Sequence, residues 1–128
     1  MAKNNRIFIS FAIEDKILRE FLVGQAKNLK SPFSFVDMSV KKAWDNAWKT
    51  NCRTKIKGCD GVIGIITKKT KSADGQIWEL QCAYDENVPV LLIHGHKNDR
   101  PTYLPKPVKG KRILIWTWAN INAFLEKL

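Results

Sequence analysis

Cysteine is scarce, with three in 128 residues: Cys52, Cys59 and Cys82. The count is odd and no CxxC pair occurs, which removes a disulfide framework and a thiolate zinc site. Three buried, reduced thiols in a reducing compartment are the expectation. No GxGxxG follows a strand, so a dinucleotide site of the Rossmann kind is excluded, and GxxxxGKS/T is missing, so a P-loop is excluded too. HExxH and other metal spacings do not occur, so no metal site is expected. A long apolar run is also missing. The run after MAKNNR stops at Glu14 and Asp15, too short to span a bilayer, and no small-residue cleavage site follows. The expected compartment is the cytoplasm, with no membrane partner. Acidic residues are few, 12 against 22 Lys and Arg, a net charge of +10. That excess fits either an anionic partner or a surface that only aids solubility. The chain lacks the aromatic–basic strand pattern of the RNA-recognition signature, so nucleic acid is not the expected partner.

What is present is one domain's worth of chain, residues 1–128, without repeats or low-complexity linkers. Apolar residues make up 45% and charged residues 27%, which suffices for a core and argues against disorder. Short apolar runs alternate with longer amphipathic stretches, the pattern of a parallel sheet covered by helices. Strands are expected at 6–11 (RIFISF), 33–36 (FSFV), 61–67 (GVIGIIT), 89–94 (PVLLIH) and 112–116 (RILIW). A helix over 14–30 puts Ile17, Leu18, Phe21, Leu22 and Leu29 on one face, with Glu14 and Asp15 at its positive end and Pro32 as its stop. A second helix carries Trp44, Trp48, Cys52 and Ile56 as one stripe, and Gly58 ends it. A short helix at 77–85 and a last one presenting Trp118, Ile121, Phe124, Leu125 and Leu128 complete the set. The fourth connection, 95–110, is rich in Asn, Asp and Pro and reads as loop.

Five βα units with right-handed crossovers give a three-layer, flavodoxin-like α/β sandwich, a five-stranded parallel sheet of order 2-1-3-4-5. Ligands bind such sheets beyond the carboxyl ends of the strands, where the order reverses. That places Phe11, Ala12, the 37–39 loop, Thr67 and the start of the third helix around one crevice. A phosphate-accepting receiver domain needs Asp where this chain has Thr67, so that reading fails.

Three segments carry a resemblance. Ile7-Phe8-Ile9-Ser10-Phe11 followed by Glu14-Asp15 looks like the first box of TIR domains. Phe35-Val36-Asp37-Met38-Ser39 is similar to a "strand, Asp, any, Ser" segment, and Thr67-Lys68-Lys69-Thr70 with Gln76-Ile77-Trp78-Glu79-Leu80 and Ala83 resembles a "Thr…Trp-Glu-Ile…Ala" block. Both belong to the TIR-like family of bacterial antiphage Thoeris systems. The resemblance covers roughly residues 5–95. Animal TIR domains place a Trp-Cys pair about a turn before the glutamate, where this chain has Gly75-Gln76-Ile77, so the bacterial branch is the better match.

The resemblance implies an NAD-cleaving enzyme, an NAD nucleosidase or ADP-ribosyl cyclase, with Glu79 as the catalytic residue and NAD as substrate rather than cofactor. It further implies a cyclic or modified ADP-ribose signal read by a separate effector protein, a phage-derived trigger and self-association of the domain. One carboxylate is enough for such chemistry, because nicotinamide leaves as a neutral molecule from a cationic precursor and the transition state is oxocarbenium-like. Phe11 is the candidate for stacking on nicotinamide or adenine, and Ser10 and Ser39 for hydrogen bonds to ribose or phosphate. Asp37 and Trp78 are placed beside the site, and Lys41, Lys68 and Lys69 at its mouth, toward the pyrophosphate. Each has a plainer reading. Glu79 suits a helix start for dipole reasons alone, Phe11 and Trp78 suit a core, and Asp37 suits a loop bonded to its own backbone. Trp44 and Trp48 read as core, and His94 and His96 as a loop without chemistry. The competing class is a non-catalytic TIR-type interaction module.

Overall fold

The computed structural model describes residues 5–31, 33–38 and 41–128. Its centre is a five-stranded, all-parallel sheet in the order β2-β1-β3-β4-β5. The strands are β1 (Asn5–Ser10), β2 (Phe33–Val36), β3 (Gly61–Ile66), β4 (Val90–His94) and β5 (Leu114–Ile115). The helices are α1 (Lys16–Asn28), α2 (Asn46–Lys57), α3 (Asp74–Asp85) and α4 (Trp118–Glu126). This is the expected α/β sandwich with the expected strand order.

The pleat divides the core in two. Ile7, Ile9, Ile63, Ile65 and Ile93 face one cluster with Leu18 and Leu22 of α1 and Ile121 and Leu125 of α4. Phe8, Val62, Ile66 and Leu92 face the other, with Trp48, Cys52 and Ile56 of α2 and Leu80 and Ala83 of α3. Both faces of β3 and of β1 beyond the exposed Arg6 are therefore buried, which suits the apolar stretches GVIGII and IFI. Gly64 lets the α3 face close down on β3. A Cβ there would stand 2.9 Å from Leu92 Cδ2 and 3.0 Å from Leu80 Cδ2.

Several boundaries differ from the sequence expectation, each for a local reason. Trp44 does not join the α2 stripe. Asp45 caps the helix by accepting from the Trp48 amide at 3.0 Å, so the helix begins at Asn46 and Trp44 is left 78% exposed. On α1 the buried positions are Leu18, Leu22 and Ala26, whereas Ile17, Phe21 and Leu29 are exposed. The apolar stripe is wider than the strip of sheet it covers. Pro32 lies outside the described residues; the helix already ends at Asn28, and Lys30 turns the chain with a φ of 51°. α3 starts at Asp74 rather than at 77. Between β4 and β5 the described chain has no α-helix, in line with the loop expected at 95–110. Pro101, Pro105 and Pro107 cannot supply the amides a helix needs, and Val108 from this stretch plugs the α2–α3 side of the core. β5 shrinks to two residues.

All three cysteines are free and buried. Burial pushes their thiols up, Cys59 to about 11, so none is a thiolate at neutral pH. Among the described residues no helix is long and apolar enough to cross a membrane.

Candidate functional site

The register of the sheet builds the site. Ser10, the last residue of β1, pairs with Gly64 and points to the α3 side, as Phe8 does two residues earlier. α3 lies over that face, and its second turn delivers Glu79. Ser10 Oγ donates to Glu79 Oε1 at 2.8 Å. Gln76, one turn earlier on α3, fastens the helix to the sheet. Its Nε2 donates to the carbonyls of Ser10 at 3.2 Å and Ile65 at 2.8 Å. Those two carbonyls lie at the ends of β1 and β3, where parallel pairing stops, so Gln76 satisfies backbone groups that would otherwise be orphaned. Its own Oε1 is buried without a protein partner.

The second oxygen of Glu79 takes a charge. Lys41, from the connection after β2, donates Nζ to Glu79 Oε2 at 2.7 Å. The same ammonium stands 4.2 Å from the centroid of the Phe11 ring, a cation–π contact. The Glu79 side chain is fully buried and that of Lys41 is 7% exposed. Gly75 makes the approach possible. A Cβ at position 75 would lie 2.6 Å from Lys41 Cβ, closer than any real contact. The lysine stem therefore runs across the bare backbone of the first turn of α3.

The electrostatics follow from this burial. Loss of water pushes the Glu79 carboxyl up to about 7. The Lys41 ammonium and the Ser10 hydroxyl pull it down and Asp37 adds a small upward push, so burial prevails. A carboxyl poised there can exchange a proton near neutrality. When ionised it can stabilise a positive charge in front of the Phe11 face, in surroundings where such a charge counts for more than in water. Beside Lys41 and the first turn of α3 lies a cleft of about 190 Å³ lined by Ile13, Lys41, Trp44, Ala73, Gly75 and Gln76, among others, but not by Glu79 or Phe11.

The other sequence candidates divide. Ser10 and Lys41 meet at Glu79, and Phe11, packed in the core on the α1 side, reaches it only through the Lys41 ammonium. Asp37 accepts from Arg19 Nε at 2.6 Å and ties the end of β2 to α1. Trp78 makes its ring contacts toward α2, with Trp48 at 5.5 Å and Arg53 at 5.4 Å. Ser39 lies outside the described residues. Lys68 pairs with Asp99 at 2.5 Å, on the surface. Thr67 donates to buried Asp15, joining the end of β3 to the turn that precedes α1. Gln76 was recognised from sequence only as part of a motif. Its role as a clamp depends on two carbonyls distant in sequence, and nothing local announces it. Among the described residues no three His, Cys, Asp or Glu side chains converge as a metal site.

No protein-family model matches the chain, and no curated protein matches it.

Proposed function

We propose that this chain cleaves NAD at the bond between nicotinamide and ribose. The observation that carries the reading is the fully buried carboxylate of Glu79, held by Ser10 and paired with a cation that stands on the face of Phe11. It supports the reading because the substrate offers that kind of group, a planar pyridinium attached to the carbon where positive charge develops. In the step proposed, the bond between ribose and ring nitrogen breaks and its electron pair leaves with nicotinamide. Nicotinamide departs neutral, so no general acid is required. Glu79, ionised, offsets the oxocarbenium charge and orients the ribose hydroxyls. Ser10 keeps the carboxylate in place.

The acceptor sets the product. Water gives ADP-ribose, whereas a hydroxyl or base nitrogen of the same molecule gives a cyclic isomer. The resemblance to Thoeris TIR-like proteins favours a cyclic or otherwise modified ADP-ribose signal, a separate protein that senses it, and a TIR-like fold that works as a cytoplasmic self-assembly.

A second reading, a non-catalytic interaction module, draws on the exposed Ile13, Ile17 and Phe21, spaced four apart along α1 and the turn before it. The test is NAD consumption by the purified chain, wild type against Glu79→Ala, with and without lysate from phage-infected cells, and products resolved by mass. Loss of NAD that needs Glu79 supports the enzyme. Folded, concentrated wild type that leaves NAD intact under every condition supports the module.

A further inference from the structure

The nook beside Glu79 is already filled by a cation belonging to the protein itself. A carboxylate oxygen at 2.7 Å and an aromatic face at 4.2 Å are the two contacts a buried organic cation would seek, and Lys41 Nζ makes both. A lysine drawn to the site only for phosphate would leave its ammonium in the open cleft. Here the ammonium is turned inward, and the cleft beside it is lined by the Lys41 side chain together with Trp44 and Ile13. The backbone is adapted to this placement. The glycine at position 75, in the first turn of α3, falls where a Cβ would collide with the lysine stem.

We propose that Lys41 is an internal competitor, a resident stand-in for the cationic ring of an incoming ligand, and that the ligand enters only when the Lys41 side chain swings out. The identity of that ligand rests on the NAD reading; the occupancy of the nook by Lys41 does not. The exchange needs only rotation about the four-carbon stem. Once outside, the ammonium faces the cleft, where an anionic part of the same ligand can hold it. Exposed Trp44 lines that cleft and offers a ring face to a second planar group. Ligand affinity in the resting chain is then reduced by the fraction of molecules whose nook is free.

The test uses the full chain and the ring-N-methylated nicotinamide cation as probe, with neutral nicotinamide beside it, at a pH above the carboxyl midpoint measured for each variant so that the carboxyl is ionised in all of them. Calorimetric titration compares wild type, Lys41→Ala and Gly75→Ala. Lys41→Ala is expected to bind the cation about tenfold tighter or more, as removal of an occupant nine-tenths resident requires, and the neutral probe gains less. Gly75→Ala keeps both charges and crowds the lysine stem, so it shifts in the same direction. It also serves if Lys41→Ala fails to fold by circular dichroism. If folded variants bind the cation no tighter than wild type, the proposal is overturned. NAD turnover separates this proposal from the reading beneath it. Tighter cation binding with no NAD cleavage by any variant keeps the competitor and discards the NAD reading. Wild-type cleavage that falls in Lys41→Ala, without tighter cation binding, keeps the enzyme and makes Lys41 a substrate contact.

Discussion

The carboxyl ends of β1 and β4 both carry polar residues at the rim of one sheet, yet they are built in opposite ways. At the end of β1, Ser10, Glu79, Gln76 and Lys41 form a buried, cross-bonded cluster drawn from three separate parts of the chain. At the end of β4, His94 is buried with its Nδ1 unpartnered, and burial and then Arg100 hold its pKa below the ordinary value. The residues after it run into an exposed stretch where Lys68 and Asp99 pair in water. Charge brought out of water needs compensation from several sides, and only the β1 end has it. A polar side chain at a strand end therefore says little by itself. What sets the β1 end apart is that a hydroxyl donor and a counter-charge converge on one buried carboxylate, with the counter-charge resting on an aromatic face.

The largest expected break in this comparison is catalytic. Glu79→Gln should lower NAD cleavage on the order of a hundred- to a thousandfold. His94→Asn should leave the rate within about twofold. Steady-state rates of the two variants check both. Next comes stability. Phe11 is 1% exposed and Trp44 78%. In urea unfolding, Phe11→Ala should cost about 3–5 kcal/mol, and Trp44→Ala no more than about 0.5 kcal/mol. Equal losses would mean that Trp44 is packed after all.

The third effect is a pH slope. The folded Glu79 carboxyl keeps its proton to about pH 7, against an ordinary value of 4.5. Its contribution to stability is therefore complete below about pH 4.5 and is lost as pH rises through 7. Glu79→Gln should flatten that slope. Carbon NMR of the side-chain carboxyl should give a midpoint near 7, moving higher in Lys41→Ala because an ammonium that lowers it is gone. A small effect belongs to Asp37→Asn. It should cost under about 1 kcal/mol, since the Arg19 partner is 30% exposed.

Strand order, the placement of β2 and the core residues of α2 and α4 were legible in the sequence, because each is a matter of local period and of rules for parallel sheets. So was the approach of Ser10 to Glu79, which follows from a strand end facing a crossover helix. Other features were hidden. The periodicity that joined Trp44 to Trp48 did not register Asp45 as a cap, although Asp three residues before Trp48 is an ordinary helix start. The breadth of the α1 stripe gave no hint of how little sheet lies beneath it. Gly75 read as loop because a glycine is judged by its neighbours in sequence, while its reason is Lys41 packed across it. The lysine itself was placed at the crevice mouth, toward phosphate. That its ammonium turns inward depends on Glu79, 38 positions away, and no pattern of spacing encodes such a contact.

The most direct test of the central claim is NAD cleavage by concentrated wild-type chain beside Glu79→Gln, which keeps the shape of the side chain and loses only its charge. Nicotinamide release is expected from the first and close to none from the second, with both folded. Equal release by the two, or release by neither once Lys41 has been removed from the nook, would contradict that claim.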